Sequence, residues 1–175
     1  DPVLLRGGRI GIPSAHQGID IERLARFIEE HGVTIIDCTP MLLSRFNQMG
    51  VFKNLRLVIS GGDVLKPGYV DNLVKTASVY NTYGPTETTV CAAYYRYNGN
   101  LPGSAAVPIG KPIANYKIYI LDRYNVLLPI GIPGELCIGG PGVTRGYLNQ
   151  PELTAEKFCL RRPGGLFSRK PPPWT

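Results

Sequence analysis

Residues 80–90 read YNTYGPTETTV, which places aromatic rings, a backbone turn, hydroxyls and one carboxylate side by side. Each residue type has a use in holding a nucleotide. Tyr83 offers a flat face to a base, or to a core. Gly84 lets the backbone turn closely, and Pro85 stiffens the turn. Thr86 carries a hydroxyl suited to a phosphate oxygen. Glu87 can hold Mg2+ through a single carboxylate while phosphates supply other ligands. The same residues can also make a strand-end turn in which Thr86 and Glu87 cap the next element, and residue chemistry alone leaves both readings open. Two other glycine-rich stretches, GGDVLKPG (61–68) and GGPGVTRG (139–146), match neither GxxxxGK[ST] nor GxGxxG and read as turns. No nucleophile elbow is present.

The elements around this stretch are set by periodicity. In 20–32, Ile21, Leu24, Ala25 and Ile28 form one apolar helix face, with Asp20 as N-cap and Gly32 just past the end. VTIIDC (33–38) suits a buried strand. TPMLLSRFNQMG (39–50) reads as a helix, capped by Thr39, with Pro40 in its first turn and Gly50 at its end. LRLVIS (55–60) is the next strand, 66–76 a short helix, SVYNTY (78–83) a third strand and TTVCAAYY (88–95) a fourth. RIGI (9–12) is one more candidate strand. Strand, helix, strand, helix, strand predicts a parallel sheet with right-handed crossovers. Ligands of such sheets bind beyond the carboxyl ends of the strands. Asp37-Cys38, Ser60-Gly61-Gly62 and Tyr83-Gly84-Pro85 should therefore share one edge.

After Asn98 the texture changes. NGNLPGSAAVP is a turn-rich linker, and YKIYILD (116–122) and GELCIGG (134–140) are short strands bounded by turn residues. The expected organisation is an α/β subdomain over 1–100, a small antiparallel, barrel-like β piece over 104–150, then a helix (PELTAEKF, 151–158) and a loose basic tail to 175. No internal repeat is present.

Bulk properties narrow the partners. The 175 residues suffice for one sizeable domain or two small ones. The net charge of +6 comes partly from Arg161, Arg162, Arg169 and Lys170, in a tail with no acid after Glu156; it reads as solvated. No stripe of Lys or Arg with interleaved aromatics marks a nucleic-acid groove, so no nucleic-acid partner is expected. The four cysteines (38, 91, 137, 159) have no CxxC or Cys/His spacing and read as buried thiols of a reducing compartment. His16 and His31 read as surface residues. With no signal peptide and no apolar run near the ~18 residues of a membrane helix, the expected location is cytoplasmic and away from membranes. The chain opens on DPVLLRGG without Met and stops in SRKPPPWT, which suggests an internal fragment of something longer.

NTYGPTET closely resembles the NxYGPTE motif of adenylate-forming enzymes. VPIGKPIANYKIYILD (107–122) and GELCIGGPGVTRGYLNQPELTAEKF (134–158) resemble the segments that come after it in adenylation domains of nonribosomal peptide synthetases. VTIIDCTPMLL and LRLVISGGDVL match the family's upstream strands. The resemblance covers nearly the whole chain in order and spacing. It implies ATP-dependent activation of an amino acid as aminoacyl-AMP, with Mg2+, and transfer to the phosphopantetheine thiol of a carrier protein.

The resemblance also implies residue roles. Tyr83 stacks on adenine; Asn81 and the backbone of Gly61, Gly62 and Gly84 border the nucleotide. Thr86 contacts phosphate and Glu87 holds Mg2+, these two being the catalytic pair. The substrate pocket falls on Asp37, Ile59, Gly61, Thr82, Val90 and Cys91. Asp37 is its one charged member, and a carboxylate there wants a cation or a donor. That points to Lys, ornithine, Arg or Gln, unless Asp37 caps the following helix or pairs with an Arg. Carrier-protein and condensation domains of a parent synthetase are the expected partners. The family's upstream phosphate loop and amine-binding aspartate, and its downstream ribose-binding aspartate and catalytic lysine, have no match here, so the chain alone is expected to be inactive. Exposed apolar surface would make it prone to self-association. An aryl- or acyl-CoA-type ligase of the same superfamily, and a non-catalytic interaction module that keeps the fold, remain alternatives.

Overall fold

The computed structural model describes residues 2–14, 20–101, 103–161 and 165–170. His16 lies outside them. The chain divides into two compact units, Asp1–Asn81 with Arg96–Pro108 and Thr82–Tyr95 with Ile109–Thr175.

The first unit opens with a single turn, α1 (Pro2–Leu5). RIGI is not a strand: residues 9–12 adopt no regular element, and Ile10 and Ile12 are exposed. α2 (Ile21–Glu30) forms where the apolar period predicts it. Asp20 Oδ1 accepts from the backbone N–H groups of Glu22 and Arg23 at 2.9 and 3.3 Å, satisfying two donors the helix leaves open. Gly32, at φ +60°, supplies the left-handed residue that ends it. β1 (Ile35–Cys38), α3 (Pro40–Gln48) and β2 (Leu57–Ser60) come next as one βαβ unit. Thr39 is the N-cap of α3 by position, but its side chain makes no capping bond. Leu43 and Phe46 of α3 are buried with Val58 of β2, and Phe46 meets Phe52 edge to face at 5.7 Å.

The helix expected over 66–76 is two 3-10 turns, Pro67–Tyr69 and Leu73–Lys75. Asn47, at the end of α3, explains the difference. Its Oδ1 accepts from the N–H groups of Asn72 and Leu73 at 2.8 and 3.2 Å, and its Nδ2 donates to Gly68 O at 3.2 Å. Those backbone groups are bonded across the fold, so they are not available to a continuous helix ladder. The turns lead into β3 (Ser78–Tyr83), which spans the expected residues. β1, β2 and β3 are parallel, with Cys38 beside Ser60 and Ser60 beside Asn81. The stretch read as a linker is part of this unit's packing: Val107 is buried and its N–H donates to Leu65 O at 2.8 Å.

In the second unit the strand expected over 88–95 starts late, as β4 (Ala93–Tyr97). Residues 86–92 are a 3-10 turn and a reversal. Cys91 N–H donates to Thr89 O at 2.9 Å and Ala92 N–H to Tyr83 O at 2.8 Å. The β-branched run Thr88–Val90 favours a strand, but closing that reversal puts Thr89 and Val90 at φ +57° and +71°. β5 (Lys111–Pro112) pairs antiparallel with β4. β6 (Lys117–Leu121) and β7 (Glu135–Gly139) pair antiparallel along their whole length. α4 (Pro151–Lys157) is the last helix described. The tail is not loose where it is described: β8 (Phe158–Arg161) and β9 (Gly165–Lys170) form a hairpin, and β9 pairs with β7. The sequence signal for the pair is weak because β9 joins the sheet through β7, far back in the chain. The strands thus make two sheets, in the orders β1-β2-β3-β4-β5 and β6-β7-β9-β8. Among the described residues, no helix is long and apolar enough to cross a membrane.

Candidate nucleotide and substrate site

The expected site residues fall in both units. Asp37, Ile59, Gly61, Gly62 and Asn81 belong to the first, and Thr82, Tyr83, Gly84, Thr86, Glu87, Val90 and Cys91 to the second.

In the first unit, parallel pairing sets Asp37 directly beside Ile59 near the carboxyl ends of β1 and β2. Asp37 is exposed, and partial burial raises its carboxyl above the ordinary value. Among the described residues it has neither a hydrogen-bond nor an ion-pair partner, so neither alternative reading, helix cap or Arg pair, is realised. The neighbouring Cys38 thiol is pushed up to about 12 by burial and by the charge of Asp37, which keeps it protonated and inert. Gly61 continues from β2, and Gly62 takes φ +86° in the turn after it, where a side chain would strain the backbone. Asn81 is 3% exposed. Its Nδ2 donates to Val107 O at 3.1 Å and Pro108 O at 3.0 Å, which fixes the amide and leaves Oδ1 a buried acceptor with no partner among the described residues. A buried acceptor without a donor is costly, and an exocyclic amine of a base is a group that could satisfy it.

In the second unit, Thr82 and Tyr83 are half-buried, and burial pushes the Tyr83 phenol up. Gly84 admits nothing larger, because a Cβ there would stand 2.6 Å from Val90 O and 2.8 Å from Ala92 N. Thr86 is exposed and Glu87 half-buried on the following 3-10 turn. Glu87 Oε1 accepts a hydrogen bond from the Tyr147 hydroxyl. That bond, burial, and the charges of Glu87 and Glu156 push the Tyr147 phenol up to about 12, so it stays a donor at neutral pH. The turn's backbone is held as well. Thr144 N–H donates to Glu87 O at 2.8 Å, Tyr116 Oη to Thr88 O at 2.9 Å, and Thr89 Oγ1 to Gly142 O at 2.7 Å. Val90 is 81% exposed, while Cys91 is half-buried with Sγ 3.5 Å from Ala93 O.

Tyr147, Thr144, Gly142 and Tyr116 are the residues that sequence reasoning passed over. Gly142 and Thr144 lie in GGPGVTRG, which reads in isolation as a plain turn, and Tyr116 and Tyr147 lie in the family-like segments 107–122 and 134–158, where no local pattern marks a contact with Glu87 or Thr88.

These residues suit Mg·ATP in their donor chemistry. Among the described residues no three or more His, Cys, Asp or Glu gather into a metal cage. A single ordered carboxylate oxygen donor is what Mg2+ needs from a protein when phosphates supply the rest. Within the second unit, Glu87 is the residue that could hold the ion and Thr86 the one that could donate to phosphate.

A parallel β-sheet with chemistry-bearing residues at its strand ends is the architecture of α/β proteins that take ligands beyond those ends. The chain belongs to the AMP-binding enzyme family, whose model matches residues 2–148. It is 46% identical over 165 residues to bacitracin synthase 2 of Bacillus licheniformis, an alignment covering 93% of this chain and 6% of that protein. Among solved structures it is similar to a four-domain nonribosomal peptide synthetase bound to AMP and glycine, with a TM-score of 0.82 and 27% identity over 94% of this chain and 13% of that one. It is also similar to the N-terminal subdomain of NpsA from Klebsiella oxytoca in complex with 3-hydroxybenzoyl-AMSN, with a TM-score of 0.74 and 28% identity over 91% of this chain and 41% of that one. The chain thus spans a small part of the curated relative it matches.

Proposed function

We propose that the chain works in ATP-dependent activation of an amino acid. The amino-acid carboxylate attacks the α-phosphate of ATP, pyrophosphate leaves, and the aminoacyl-adenylate then passes its acyl group to a carrier-protein phosphopantetheine thiol. The observation that carries this reading is the family match over residues 2–148, which takes in every residue of both site halves. When bound, Mg2+ neutralises phosphate charge as the leaving group departs. Glu87 fixes the ion, and the Thr86 hydroxyl orients phosphate for in-line attack. No residue need act as general base, since the nucleophile is already ionised. Tyr83, Asn81, Gly61, Gly62 and Gly84 seat the nucleoside.

The substrate pocket is proposed on Asp37, Ile59, Gly61, Thr82, Val90 and Cys91. An unpaired carboxylate among small and apolar neighbours selects a basic or amide side chain. Carrier-protein and condensation domains are the proposed partners, and the cytoplasm is the proposed setting, where ATP and reduced thiols are available.

Amino-acid-dependent ATP–pyrophosphate exchange tests the reading, measured with these residues in place of the matching stretch of bacitracin synthase 2. Exchange with Lys, ornithine, Arg or Gln supports both activation and the role of Asp37. Exchange with apolar amino acids alone keeps activation and removes Asp37 as selector. Exchange with no amino acid, against a native synthase that works, rejects amino-acid activation and directs the search to aryl or other acids.

A further inference from the structure

The stretch GGPGVTRGY has no role in the proposed function, yet Gly142, Thr144 and Tyr147 all hydrogen-bond to the Thr86–Thr89 turn. Thr144 N–H holds the main chain of Glu87, and Gly142 O accepts from Thr89. Tyr147 holds the Glu87 side chain. Tyr147 is itself fixed from two sides. Its N–H donates to Thr154 Oγ1 at 2.9 Å, and its ring meets Phe158 edge to face at 5.6 Å. The glycines are what let this strap lie so close. A Cβ at Gly142 would collide with the Tyr116 hydroxyl, and one at Gly146 with the Thr154 side chain.

We propose that Tyr147 is the positioning residue of the Glu87 carboxylate, its hydroxyl holding that side chain in the orientation in which it meets a divalent cation. The proposal rests on the reading of Glu87 as the Mg2+ residue. A glutamate left alone samples several rotamers, and a cation must then select one of them. A fixed donor removes that search, as outer hydrogen-bond partners do for metal-binding side chains in general. Tyr147 acts through Glu87 and does not itself touch the ion.

The test uses the 175-residue chain, with Mn2+ as the probe in the presence of ATP, read by the electron paramagnetic resonance of free Mn2+. The variants are Glu87→Gln and Tyr147→Phe, the second keeping the ring against Phe158 and removing only the hydroxyl. The expected result is weaker Mn2+ uptake in both, by about 10-fold for Tyr147→Phe, with circular dichroism and Tm unchanged. A loss in Glu87→Gln with none in Tyr147→Phe overturns the positioning role and leaves the Glu87 reading standing. A second, metal-free readout covers the remaining case, in which wild type takes up no Mn2+ and the Glu87 reading itself fails. The Tyr147 Cζ resonance at neutral pH, assigned by its loss in Tyr147→Phe, shifts in Glu87→Gln when the hydroxyl is held by that carboxylate. An unmoved resonance overturns the proposal whatever the metal does.

Discussion

Asp37 stands exposed near the end of β1 without a partner among the described residues, and burial still raises its carboxyl. A raised carboxyl means the folded chain binds its proton more tightly than the unfolded chain does. Stability is therefore highest below the unfolded value, falls as pH rises toward the folded one, and stays lower above both. Asp37→Asn removes that loss. It should raise stability slightly at pH 7, because solvent screens an exposed group, and leave it unchanged at pH 3, as urea melts at the two pH values would show. The same substitution should relax side-chain selection in the exchange assay, so stability and selection move in opposite directions. Val90 gives a second prediction of this kind. A β-branched residue at φ +71° is strained, and its side chain is too exposed to gain much by packing. Val90→Asn, better suited to the left-handed region, should stabilise the chain by about 1 kcal/mol in the same melts. Of the site, Glu87 and its neighbours were legible because their chemistry lies within a few residues. Tyr147 was not, because it meets Glu87 across sixty positions and a lone tyrosine has no spacing to betray it.

At the level of elements, the parallel strands and both long helices were legible because each is set by its own residues. Ile21, Leu24, Ala25 and Ile28 supply a helix face, and the Ile-Ile and Leu-Val-Ile runs supply strands. The failures have a common cause, which is that distant partners outweighed local preference. Asn47 turned an expected helix into two 3-10 turns, and pairing with β7 made a strand of an expected loose tail. Asn47→Ala should therefore cost about 2–4 kcal/mol in urea melts, since it leaves the N–H groups of Asn72 and Leu73 without their acceptor in a part-buried to buried setting. Gly142→Ala should cost about 1–3 kcal/mol by forcing the Tyr116 hydroxyl from Thr88 O. Combined with Tyr116→Phe, which already lacks that hydroxyl, the loss should be smaller than the sum of the two, as a double-mutant cycle would measure.

For the whole molecule, the connection between β6 and β7 exposes a run of apolar side chains. Tyr124, Val126, Leu127, Ile130 and Ile132 are all more than half exposed. Surface of that kind favours association. Sedimentation at rising concentration should show self-association, and Leu127→Asp with Ile130→Asp should reduce it. The division into units has a different consequence, for the order in which the chain can fold. The chain passes from one unit to the other after Asn81, Tyr95 and Pro108, so neither unit is a continuous stretch. Leu65 O and the Asn81 amide take their partners from Val107 and Pro108. During synthesis the first unit therefore cannot complete its bonding when residue 81 leaves the ribosome. It must wait about 27 residues more, roughly 1–5 s at ordinary elongation rates, with part of the second unit already outside. The Asn81 amide spends that interval without its final acceptors, and Leu65 O without its donor, which makes this the interval in which a chaperone would matter most.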